Sequence, residues 1–151
     1  MTIAFGYFPI FAFKIYPMKR LFSTRFSNGA VNFSLLVLRV GFGLMLLTHG
    51  WAKVEHFNQM APGFTDPLHV GGRISLILTI FSEVVCAAFL VLGLFTRIAV
   101  IPVLAQMVII LLMVLHHDVF SRQELAWHFL VGGIVILFCG PGKVSVDGLI
   151  S

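Results

Sequence analysis

The stretch from Phe33 to Trp51, FSLLVLRVGFGLMLLTHGW, decides the kind of protein this is. As a helix rising about 1.5 Å per residue it matches the roughly 30 Å hydrocarbon core of a bilayer. Only Arg39 and His49 interrupt its apolar run. It reads as a transmembrane helix, and the rest of the chain fits that reading.

Of the 151 residues, 59% belong to the hydrophobic set and 11% are charged, with a mean hydropathy of +1.03. A soluble domain keeps about a quarter of its residues charged. Sixteen Phe against six acids cannot hold a water-facing surface, so lipid must be the solvent. A second apolar run, Ile74 to Phe95, carries Glu83 near its centre, and a third, Ile98 to Leu115, follows across a turn at Gly93–Arg97, which makes a helical hairpin. The fourth, Leu125 to Cys139, borrows length from Val119 onward and stops at Gly140-Pro141-Gly142, where the chain cannot continue a helix. The expected fold is all-α, an integral membrane four-helix bundle over residues 32–151. Too little chain remains for a soluble catalytic domain, so any chemistry lies within or between the spans.

The basic residues Lys14, Lys19, Arg20 and Arg25 precede the first span. There they act as a topology signal facing anionic lipid rather than as a nucleic-acid surface. With them on the inner side, Arg97 and Lys143 join them, and both termini are expected in the cytoplasm. Residues 1–31 form a basic and aromatic leader whose first seventeen residues suit neither a cleaved signal peptide nor a span. Met18 opens MKRLFSTRFSNG and is the expected start of translation. The connection from Lys53 to Gly72, with Pro62, Pro67 and Gly71-Gly72, is expected to be irregular with one short turn and to cap the outer face. Cys86 and Cys139 lie far apart inside apolar runs without a CxxC, which argues against a thiol-redox pair.

Charges inside a bilayer narrow the search for a site. Unpaired Arg39 and Glu83 facing lipid would together cost about 5 to 7 kcal/mol, so both should face the bundle interior. Counting from opposite ends of their helices, they reach similar depths, which predicts an ion pair near mid-membrane. Arg39, Gly43, Gly50 and Lys53 share one side of the first helix; Ser75, Thr79, Ser82, Glu83, Cys86 and Ala87 make a small and polar stripe on the second. Gln106 lies at about the same depth, beside a bend expected at Pro102. These residues either glue the bundle together or let Glu83 handle protons at a quinone head group, with Arg39 as its counter-ion; spacing alone leaves both open.

A second group gathers toward the outer ends: His49 and Lys53, His116 and His117, then Glu124 and His128 one turn apart. Imidazole and carboxylate suit several transition metals, but ligands scattered over three helices make no metal motif, and no metal is assigned. Ser121-Arg122-Gln123-Glu124 has the form of a capping box, which gives Glu124 a structural role instead. Trp51 and Trp127 are expected as interfacial anchors.

The order of residues, Leu38-Arg39 with Gly41, His49-Gly50 with Lys53, Glu83, Gly93-Leu94-Phe95-Thr96-Arg97, His116, Glu124, then Gly140-Pro141-Gly142 with Ser145 and Asp147, resembles the DoxX family of small bacterial membrane proteins. The likeness runs from Leu35 to Leu149. It implies a four-helix inner-membrane protein, related in some branches to the small subunit of a thiosulfate:quinone oxidoreductase or terminal quinol oxidase, and it singles out Arg39, His49, Lys53, Glu83, Thr96, Arg97, His116 and Glu124. No haem-ligand or iron–sulfur spacing is present, so electron transfer would need a partner subunit or a bound quinone. The expected role is an accessory or quinone-interacting subunit of a membrane redox complex. Glu83, Arg39 and His49 are then the candidate catalytic residues, and Lys53, Gln106, His116, Glu124 and His128 the candidate cofactor-binding ones. The alternative is a non-enzymatic scaffold or a small-solute permeation protein, and a homo-oligomer suits either.

Overall fold

The computed structural model describes residues 26–150, and the architecture follows from four helices long and apolar enough to cross a membrane. They are α1 (Asn28–Glu55), α2 (Gly72–Leu92), α3 (Thr96–Val114) and α4 (Phe120–Cys139), followed by a short helix α5 (Val146–Ile150). The expected all-α membrane bundle is the observed fold. Residues 1–25 of the leader, Met18 among them, lie outside the described residues, and its last residues, from Asn28, already belong to α1.

Each helix begins or ends for a local reason. Ser27 caps α1, its Oγ accepting the Ala30 N–H at 3.1 Å. Helix α2 ends at Gly93 in the left-handed region (φ 70°), where the Leu94 N–H reaches back to the Phe89 carbonyl at 2.9 Å. Helix α4 starts at Phe120, so Ser121 lies inside its first turn and the expected capping box does not form. Gln123 performs the tie instead, its Nε2 donating to the carbonyls of Leu115 (2.7 Å) and Asp118 (3.0 Å) across the α3–α4 turn.

The helices pack as a ring in chain order, α1 against α2 and α4, α3 against α2 and α4. Because lipid tails are as apolar as leucine, close packing rather than water exclusion holds such a bundle together. Phe42 and Leu46 of α1, Ala87 and Leu90 of α2, Val100 and Val103 of α3, and Phe129 and Ile136 of α4 fill its centre. Phe42 meets Phe129 edge to face, with ring centroids 5.2 Å apart. The antiparallel register of α1 and α2 is fixed where small residues let the backbones touch. Gly43 lies against Ala87 and Val91, Gly50 lies against Glu83, and Arg39 lies against Gly93.

The α1–α2 connection carries one helical turn (Phe57–Met60) and one 3₁₀ turn (Ala61–Gly63). Asp66 ties it down, accepting the N–H groups of Val70 (3.1 Å) and Gly71 (2.6 Å) and the Ser75 hydroxyl (2.7 Å). These bonds, the Ser75 hydroxyl foremost, hold the Asp66 carboxyl below its ordinary range against the opposing effect of burial. This connection defines the loop end of the bundle.

Candidate functional site

Glu83 is buried, yet its partner is not Arg39. Lys53 Nζ donates to Glu83 Oε2 at 2.5 Å, and Gln106 Nε2 donates to Glu83 Oε1 at 2.6 Å. Ser82 Oγ in turn donates to Gln106 Oε1 and lies 3.0 Å from the Thr79 carbonyl. Three helices thus contribute to one chain of hydrogen bonds, Lys53 from α1, Glu83 and Ser82 from α2, Gln106 from α3. Lys53 also lies 3.4 Å from the His49 carbonyl.

The α1–α2 register explains the change of partner. Glu83 lies opposite Gly50, whereas Arg39 sits eleven residues deeper on α1, about 16 Å along its axis. Lys53 stands one turn beyond Gly50, and helical side chains lean toward the helix N-terminus. Its long stem therefore reaches back into the bundle and delivers the ammonium to the carboxylate. The side chain of Glu83 is 6% exposed and that of Lys53 21%, so the carboxylate is enclosed while the cation keeps a route to the loop end.

A cavity of about 500 Å³ opens beside this network, between α2 and α3. Its walls are mostly apolar, and among the described residues Lys53 and Glu83 are the only charged ones lining it. Phe64, Thr65, Pro67 and Leu68 of the tied connection roof it, as the expected capping of the bundle requires. Pro102, Ala105 and Gln106 form the α3 wall, consistent with a proline opening space beside Gln106. On the bilayer side its rim includes Leu78 and Phe81, which are 50% and 47% exposed on the outer surface of α2. Both walls contain a π-helical turn, Phe81–Cys86 in α2 and Ile110–Val114 in α3, a widening of the helix often found at functional sites.

Arg39 belongs to a different structure at the opposite end. It is 2% exposed, and its two terminal nitrogens donate to the carbonyls of Pro141 (2.7 Å) and Val144 (2.9 Å). Asp147 holds the same end from α5, accepting the N–H groups of Phe95 (2.8 Å) and Thr96 (2.9 Å) and donating its own N–H to the Gly93 carbonyl at 2.9 Å. Phe95 adopts a left-handed backbone (φ 46°), a conformation that costs a non-glycine residue roughly 1 to 3 kcal/mol and that the Asp147 bond offsets. Burial works to raise the Asp147 carboxyl, but these hydrogen bonds and the charge of Arg39 outweigh it and leave it below its ordinary range. Gly93 permits the arrangement, because any side chain there would strike the Arg39 guanidinium. The residues of the Gly93–Arg97 turn and of Gly140-Pro141-Gly142 with Ser145 and Asp147 therefore form one clasp that closes the bundle.

The outer histidines do not join Glu83. His49 is exposed and meets Phe129 edge to face at 6.2 Å, on the side of α1 toward α4. His116 stacks on His117 and borders a separate hollow between α3 and α4 with Gln123 and Trp127. Glu124 and His128 are exposed on α4, the His128 ring 2.7 Å from the Glu124 carbonyl. Among the described residues no cluster of three or more His, Cys, Asp or Glu is arranged to hold a metal. Of the expected site residues, Glu83, Lys53 and Gln106 come together; Arg39, His49, His116, Glu124 and His128 stand apart from them. The sequence does not single out the roof residues or Ser82, although Ser82 lies in the polar stripe of α2, the signal that could have found it.

The DoxX family profile matches residues 34–118. This chain belongs to the DoxX family. It is 31% identical over 138 aligned residues to the uncharacterized membrane protein Rv3486 of Mycobacterium tuberculosis, covering 78% of this chain and 82% of that relative. No solved structure matches. The DoxX match spans α1 to α3, so it contains the whole Lys53–Glu83–Gln106 network and the roof above it. It ends before α4 and before the carbonyls that hold Arg39.

Proposed function

We propose that this DoxX-family membrane protein is a quinone-interacting subunit of a membrane redox complex, with the cavity between α2 and α3 as its binding site. One observation carries the reading: an apolar cavity on the bilayer side of the bundle ends at a buried carboxylate held between an ammonium and an amide. A quinone moves two electrons and two protons between redox partners, and this wall supplies the groups its head would need. Lys53 and Gln106 each keep an N–H free of the Glu83 contact that can donate to a carbonyl oxygen. Glu83 can take the proton of a hydroxyl and release it to water at the loop end, with the Lys53 ammonium as counter-charge to the carboxylate. The apolar walls suit an isoprenoid chain. Glu83 is then the proton-handling residue, Lys53 its counter-ion in place of Arg39, and Gln106 a positioning residue held by Ser82. Membership of the DoxX family supports a bacterial inner membrane, and the distribution of basic residues supports cytoplasmic termini, with proton exchange then on the outer side.

A through-pathway for small solutes draws less support, because apolar side chains fill the bundle below Glu83 and the Arg39–Asp147 clasp covers the far end. Glu83→Gln tests the redox reading. The variant is expected to insert and fold while quinone-linked respiratory activity of its membranes falls to the level of a deletion strain. Full activity per folded molecule, with lowered thermal stability as the main defect, would make the network packing alone and favour the scaffold reading.

A further inference from the structure

Net charge at the cavity wall selects the class of ligand. Lys53 and Glu83 neutralise each other, and among the described residues they are the only charged ones lining the space. An anionic head entering beside Lys53 would meet a carboxylate that is already enclosed, and a cationic head entering beside Glu83 would meet the ammonium. Either adds an unbalanced charge beside an enclosed carboxylate in a largely apolar cavity. Asp66, on the roof between the lining residues Thr65 and Pro67, adds a second negative charge at the loop end, since its hydrogen bonds keep it ionised. A neutral head pays no such cost. It finds the spare N–H groups of Lys53 and Gln106 as donors and the Glu83 oxygens as acceptors.

We infer that the cavity takes an amphiphile with an uncharged, hydrogen-bonding head on an apolar chain, admitted from the bilayer past Leu78 and Phe81, and that the Lys53–Glu83 pair rejects anionic heads. The inference rests on the cavity being a ligand site, as the proposed function holds, and not on the ligand being a quinone. It makes Lys53 and Glu83 specificity-determining as a pair: removing either charge changes which head is accepted rather than merely weakening binding.

The test is a competition read by native mass spectrometry. The full-length protein in nonionic micelles is given equimolar oleyl alcohol, oleate, oleylamine and a short-chain benzoquinone. The wild type is expected to retain the uncharged amphiphiles over oleate by about tenfold or more. Glu83→Gln leaves Lys53 unbalanced and should reverse that order in favour of oleate. Lys53→Gln combined with Glu83→Gln restores neutrality and should restore the preference, which separates a change of specificity from a loss of fold. Wild type that prefers oleate, a folded Glu83→Gln variant with an unchanged order, or a folded wild type that retains none of the four overturns the inference. Retention of oleyl alcohol without the benzoquinone leaves the charge rule standing and removes the quinone reading. Benzoquinone and oleate retained equally does the opposite.

Discussion

Replacing Lys53 by leucine leaves Glu83 enclosed with Gln106 as its one remaining side-chain donor. Breaking a fully buried pair by removing one member costs about 3 to 5 kcal/mol. Lys53 keeps 21% of its side chain exposed, so water reaches the pair and the expected loss is nearer 2 kcal/mol. The double variant Lys53→Leu/Glu83→Leu removes both charges and should recover part of that loss, because no uncompensated carboxylate remains. Interhelical contacts in membrane proteins couple by about 0.6 kcal/mol on average and rarely above 1.7. An ion pair at 2.5 Å within a three-helix network belongs at the upper end, about 1.5 kcal/mol. The matching cycle between Arg39 and Glu83 should couple by less than about 0.5 kcal/mol, as expected for residues without shared partners. Reversible unfolding in mixed micelles, followed by circular dichroism for wild type and the five variants of the two cycles, measures both numbers. Additive Lys53 and Glu83 effects, or a coupling of Arg39 to Glu83 as large as that of Lys53, would refute the register described for α1 and α2.

Three further outcomes follow from particular contacts. Gly50→Ala places a Cβ 2.8 Å from Glu83 Cβ and should cost about 1 to 3 kcal/mol by parting α1 from α2, whereas Gly41→Ala, with nothing within 4 Å, should leave the melting temperature unchanged. Asp147→Asn weakens the cap on Phe95 and Thr96 and should lower stability by about 1 kcal/mol at neutral pH, read as a shift in thermal midpoint. The Asp147 carboxyl sits below its ordinary value of 3.8 in the fold, so its contribution is present above that value and fades as pH falls through the lower folded one; Asp147→Asn should flatten that part of an acid-unfolding curve. His128→Ala touches no part of the network, and its stability should stay within about 0.5 kcal/mol of wild type by the same melting assay.

The sequence by itself determined that this is a membrane protein with four helices, and why: runs such as Phe33 to Trp51 have no stable place in water, and in lipid a helix satisfies its own backbone. It also determined that Glu83 and Arg39 face inward, because the bilayer makes any other placement costly. It could not say which charge meets which. Arg39 and Lys53 lie on the same face of α1, and counting residues from helix ends assumes that both helices start level with the membrane. The tertiary structure decided otherwise, through backbone contact at Gly43 and Gly50 that slides Glu83 level with Gly50 and brings Lys53 to it. Arg39 instead donates from its two terminal nitrogens to the carbonyls of Pro141 and Val144, an arrangement invisible in one dimension because those acceptors are main-chain atoms more than a hundred residues away. The outer histidines were misleading for a related reason: residues at the same depth on different helices need not face the same seam, and only the packing of α4 against α1 and α3 turned His49, His116 and His128 away from Glu83.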